Sequence, residues 1–94
     1  MNLLAFSVYD EKAKAFLPPF FLHNADIAKR EFGFCVNDKN HAFGKAPHDY
    51  TLFSVGAFDD NTGILLGEKN PIANGVEYVQ PQMADTATQL ELGT

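Results

Sequence analysis

The stretch "HDYTLFSVGAFDDNTGILLGE", residues 48–68, decides the fold. Two apolar runs, "YTLFSVGAF" and "GILLGE", flank a polar knot of Asp59, Asp60, Asn61 and Thr62. Asn and Asp favour turns and Gly63 can supply a positive φ, so the stretch reads as a β-hairpin and hence as part of an antiparallel sheet. The rival reading is a calcium loop, which places oxygen ligands at alternate positions, glycine sixth and a bidentate glutamate twelfth. Asp59, Asn61 and Gly63 would be positions one, three and five, but Ile64 stands where glycine is needed and Asn70 where glutamate is needed. The knot is a turn.

Upstream, "NLLAFSVYD" reads as a strand in which both alternating sets, Leu4/Phe6/Val8 and Leu3/Ala5/Ser7/Tyr9, are fairly apolar, the mark of a central position. In "EKAKAFLPPFFLH", Pro18 and Pro19 forbid a regular helix, which predicts an ordered loop pinned by Phe16, Phe20 and Phe21. "NADIAKREFGFCVND" is the helix: Asn24 can cap it, Asp26 suits the positive end of its dipole, and Ala25, Ala28, Phe32, Cys35 and Val36 form one stripe facing the sheet. Ile27 and Phe34 fall on the other side, seven residues apart, an apolar pair that needs a partner and is the expected interface. "KNHAFGKAPHD" is a loop, "GVEYVQ" a short last strand, and residues 81–94 a tail that is flexible or held by a partner. The domain proper spans residues 1–80.

A chain of 94 residues makes one domain with a modest core, for which pairing with a second copy would help bury apolar surface. No run approaches the ~18 apolar residues of a membrane span. The start "MNLLAFSVYDEKAKAF" lacks a signal peptide's basic region and cleavage site, which predicts a cytoplasmic protein. The single cysteine, Cys35, excludes an internal disulfide and fits a reducing compartment.

The net charge of −5 argues against bulk electrostatic coating of nucleic acid. The charge is unevenly placed, however. Residues 1–50 carry Lys12, Lys14, Lys29, Arg30, Lys39 and Lys45 against six acids, whereas residues 51–94 carry only Lys69 against six. An anionic partner is therefore expected on the N-terminal half.

Candidate chemistry is sparse. A reactive Cys35 would need a base and a lowered pKa, and its place on the helix stripe favours a small core residue instead. His23, His41 and His48 with Asp49 match no common zinc spacing. No phosphate loop, nucleophile elbow or HExxH occurs, so no enzyme, metal or cofactor is expected. Tyr9, Phe16, Phe20 and Phe21 interleave with Lys12 and Lys14, the mixture that lets bases stack on rings while ammonium groups meet phosphates. The competing account is that a domain without tryptophan builds its core from such rings.

Three blocks, "YDEKAKAFLPPFF" (9–21), "REFGFCVND" (30–38) and "FGKAPHDYTLFSVGAFDDNTG" (43–63), resemble the small nonstructural protein of gokushoviruses, the microvirus (Microviridae) group of small single-stranded-DNA phages. The pattern P-x-D-Y-x-L-F-x-x-G-x-F-D-D-x-T-G, from Pro47 to Gly63, carries most of that likeness, which covers roughly the first two thirds of the chain. The resemblance implies a bacteriophage protein that works in the cytoplasm of the bacterial host, is absent from the mature virion, and binds viral single-stranded DNA during genome synthesis or packaging.

The combined expectation is an α+β domain, an antiparallel sheet of three to four strands with one packed helix, forming a homodimer. Lys12, Lys14, Lys29, Arg30, Lys39 and Lys45 would meet phosphates, and Tyr9, Phe20, Phe21 or Phe34 would offer stacking surfaces. The alternative is a protein-interaction module that uses the Ile27/Phe34 face and the acidic half to bind a host or viral replication protein without contacting DNA.

Overall fold

The computed structural model describes residues 2–80; the tail expected over 81–94 lies outside them. The architecture is α+β, an antiparallel sheet with one main helix. Strand β1 (Asn2–Asp10) runs through its middle. On one side β1 pairs with β4 (Tyr50–Asp59), from Asn2↔Asp59 to Asp10↔Tyr50. On the other it pairs with two short pieces, β2 (Ala15–Phe16) and β3 (Phe20–Leu22). The expected hairpin is present: β5 (Ile64–Asn74) returns along β4. The central place of β1 accounts for its apolar character on both faces, and Ala5, Phe6, Ser7 and Val8 are all buried.

The sheet has one strand more than expected because residues 15–22 pair instead of looping. Pro18 and Pro19 interrupt the ladder between β2 and β3 without preventing pairing on either side, and the Leu17 N–H still reaches the Val8 carbonyl at 2.8 Å. Strand β5 also runs beyond Glu68, through two irregularities in its pairing with β4. The expected last strand at "GVEYVQ" is instead a 3-10 turn, Gly75–Tyr78. Asn74 caps it by accepting from the Val76 N–H at 2.9 Å while Glu77 accepts from the Asn74 N–H at 2.8 Å, a reciprocal capping box.

Helix α1 (Ala25–Val36) begins where expected, with the Asn24 side chain accepting from the Ile27 N–H at 2.9 Å. Its inner stripe is narrower than predicted: Ala28, Phe32 and Val36 are buried, whereas Ala25 and Cys35 are only partly covered. These three meet Phe6, Val8 and Leu52 across the sheet to form the core. The loop expected over residues 39–49 contains a short helix, α2 (Ala42–Lys45), and a 3-10 turn, Pro47–Asp49. Phe43 of α2 packs its ring on Phe32 and on Tyr50, closing the core's end.

The opposite face of the sheet carries no helix among the described residues. Tyr9, Phe16 and Phe53 cluster there with centroids 4.9 Å and 5.1 Å apart along the series Tyr9–Phe16–Phe53. Ser7 is buried beneath this face, its Oγ donating to the Leu17 carbonyl at 2.6 Å.

Candidate nucleic-acid interface

Turning α1 outward by its own period places Arg30 and Phe34 on one row and Lys29, Gly33 and Asn37 on the next. Phe34 is 64% exposed. The Tyr78 ring lies against the helix at Gly33, where a Cβ would make an ordinary contact 3.6 Å from it. Between helix and last turn runs a groove of about 310 Å³ lined by Lys29, Arg30, Phe34, Asn37, Tyr78 and Gln80. A second groove of about 210 Å³ shares Asn37 and Gln80 with the first and reaches Lys39, Gly44 and Pro47.

Asn37 holds this region together. Its Nδ2 donates to the carbonyls of Gly33 and Tyr78, both at 2.8 Å, and its Oδ1 accepts from the Gln80 N–H at 2.9 Å. One side chain thus closes the helix end and fixes the following segment 41 to 43 residues along the chain. Gly44 is constrained beside it, since a Cβ there would fall 1.9 Å from the Asp38 carbonyl oxygen.

Chemically, the track offers an exposed ring for a base to stack on, cations for phosphates, and the Gln80 side-chain amide for a base edge, the Asn37 amide being committed within the fold. Burial, then the neighbouring Glu77 carboxylate, pushes the Tyr78 phenol pKa up, so it is a neutral donor at ordinary pH. Burial also raises the Cys35 thiol, with Glu31 and Asp38 adding to the effect. That is opposite to what a nucleophilic thiol requires.

The expected phosphate-binding residues do not share one surface. Lys29, Arg30 and Lys39 line these two neighbouring grooves. Lys12 and Lys14 lie in the β1–β2 turn, where Lys12 sits 3.6 Å from Asp49 and Lys14 3.6 Å from Glu11. Lys45 closes α2. Among the expected rings, Tyr9 belongs to the cluster on the helix-free face, Phe20 stacks on Phe6 at 5.9 Å against the core, and Phe21 is 43% exposed with its ring at Phe58. Ile27 is half-buried, so the expected apolar pair is reduced to Phe34. Tyr78, Asn37 and Gln80 escaped sequence reasoning, because their roles depend on contacts between segments far apart in the chain.

The other candidate sites resolve into structure. The Asp59 Oδ1 accepts from the Asn61 N–H at 2.9 Å, the Gly63 N–H donates to the Asp59 carbonyl at 2.7 Å, and Gly63 has φ +76. His41 caps α2 by accepting from the Phe43 N–H at 3.0 Å, while His48 lies 3.4 Å from Asp49. No group of three His, Cys, Asp or Glu among the described residues is placed to hold a metal.

A family model described as "Phage ORF5 protein" matches residues 3–85. No curated protein and no solved structure matches the chain.

Proposed function

The chain belongs to the Phage ORF5 protein family, and from that premise we propose that it is a nonstructural accessory protein of a gokushovirus, binding viral single-stranded DNA during genome synthesis or packaging. It acts in the cytoplasm of the bacterial host, is left out of the mature virion, and carries out no catalysis. The observation that supports DNA binding is the placement of Lys29, Arg30 and Lys39 with the exposed Phe34 ring along two neighbouring grooves that share Asn37 and Gln80. Among the described residues, Lys12 and Lys14 are held in ion pairs, whereas these three cations are not. A protein of net charge −5 engages DNA on this reading through one local basic track.

The test is fluorescence anisotropy of a labelled single-stranded oligonucleotide across a salt series, with a duplex control. Salt-sensitive binding that prefers the single strand is expected. Arg30→Glu should abolish it, and Phe34→Ala should weaken it by about 1–3 kcal/mol, the usual worth of one stacked base. No binding at low salt would sink the proposal. The exposure of Phe34 also favours a second reading, in which this ring docks a host or viral replication protein. In that case Phe34→Ala would impair partner binding while the oligonucleotide remains unbound by the wild type.

A further inference from the structure

At the sheet's far edge, β5 pairs with β4 and its other side is unpaired among the described residues. Such an edge is a template for another strand, and folded proteins usually blunt it with charge, proline or a bulge. Here those devices come late. Glu68, Lys69 and Pro71 come only from the fifth residue of β5 onward, whereas Ile64, Leu65 and Leu66 form an uncharged start, 54%, 57% and 68% exposed. Leu65 also ends an apolar row that crosses the helix-free face through its paired neighbours Phe58 and Leu3.

We propose that this edge pairs with the same edge of a second copy, antiparallel about a two-fold axis through Leu65, to give one continuous sheet in a homodimer. A two-fold interface must be self-complementary. Centring on Leu65 sets Ile64 against Leu66 of the second copy, and Leu65 against its own counterpart. Centring on Leu66 would instead set Leu65 against Gly67. Counting on from Leu65 sets Lys69, the only cation of residues 51–94, against Asn61 and Glu68 against Thr62. Lys69 thus lies beside the second copy's acidic turn while the Glu68 carboxylate is engaged by the Ser54 hydroxyl of its own chain, and symmetry makes the contact twice. The apolar row then runs on from one copy into the next. The contact is smaller than the ~800 Å² per partner of standard stable complexes, so the dimer forms in a concentration-dependent way. This interface is separate from the Ile27/Phe34 face and from the grooves along α1.

Sedimentation equilibrium of the full chain across the micromolar range tests the proposal. A reversible monomer–dimer equilibrium is expected. Leu65→Lys should leave a monomer with unchanged circular dichroism and the melting temperature of the wild type at monomeric dilution, because the side chain is exposed. Mixing Leu65→Lys with Leu65→Glu should restore a mixed dimer, since each substituted residue faces its counterpart, and Phe34→Ser should dimerise like the wild type. A wild type that stays monomeric throughout, assembly that grows without limit, a dimer that survives Leu65→Lys, or failure of the mixed pair to associate would each overturn it.

Discussion

Cys35 is the chain's one thiol, and its raised pKa makes it a poor nucleophile. Alkylation by iodoacetamide at pH 8 should therefore run several-fold slower in the folded protein than in urea, and parity between the two rates would refute the assignment. Tyr78 and Cys35 together give stability a pH dependence of known sign. A folded state that raises an acid's pKa holds the proton more tightly than the unfolded chain. The stabilisation is thus complete below the ordinary values of 9.0 for Cys35 and 10.0 for Tyr78, and it is lost as pH rises through the raised ones. Urea midpoints should be level from neutral pH to about 9 and fall above it, less steeply in Tyr78→Phe. Lys14 stores strain of another kind, its φ of 55 lying in the left-handed region that glycine adopts without steric cost and a residue with a Cβ does not. Lys14→Gly should raise stability by about 0.5–1 kcal/mol, because relief of a left-handed conformation worth about 1–2 kcal/mol outweighs glycine's entropic cost and the exposed ion pair with Glu11 is worth little.

At the level of elements, the two ends of α1 make contrasting predictions. Asn24 caps the start through a local bond, so Asn24→Ala should cost about 1 kcal/mol in denaturant titration and leave oligonucleotide affinity unchanged. Asn37→Ala removes three hydrogen bonds at the other end, costs about 1–3 kcal/mol, and should weaken the oligonucleotide as well by releasing the groove's far wall. The same contrast explains what could be read in advance. The Asn24 cap, the turn from Asp59 to Gly63 and the core positions Ala28, Phe32 and Val36 depend on near neighbours and on periodicity, so the chain displays them. Asn37 and Tyr78 meet partners that no periodicity links, and strands β2 and β3 were concealed by Pro18 and Pro19, which signal irregularity locally while tolerating an edge ladder. Lys12, Lys29 and Lys39 looked alike as letters; only the fold separates a lysine beside the buried Asp49 from two that line a groove.

Across the described residues, one sheet face packs against α1 and the other carries a partly exposed aromatic cluster, with cations in the β1–β2 turn and on the outer side of the helix. The division has a measurable signature. Single-strand binding falls with salt at roughly 0.7 logarithmic units per phosphate neutralised, so the Lys29/Arg30/Lys39 track predicts a slope near −2, while six cations acting together would give about −4. The steeper value would mean that Lys12, Lys14 and Lys45 join the same path. The position of β1 bears on something else, the order of events as the chain is made. Its partners in β4 lie 40 to 57 residues later, from Asp10↔Tyr50 to Asn2↔Asp59. On that side β1 waits for a distant hairpin that closes through local contacts, while β2 and β3 can pair with its other side as soon as they follow. Until residue 59 has emerged from the ribosome, Phe6 and Val8 have no complete pocket to enter, so nascent chains stalled before that point should be protease-sensitive and sticky, and those extended past β5 compact.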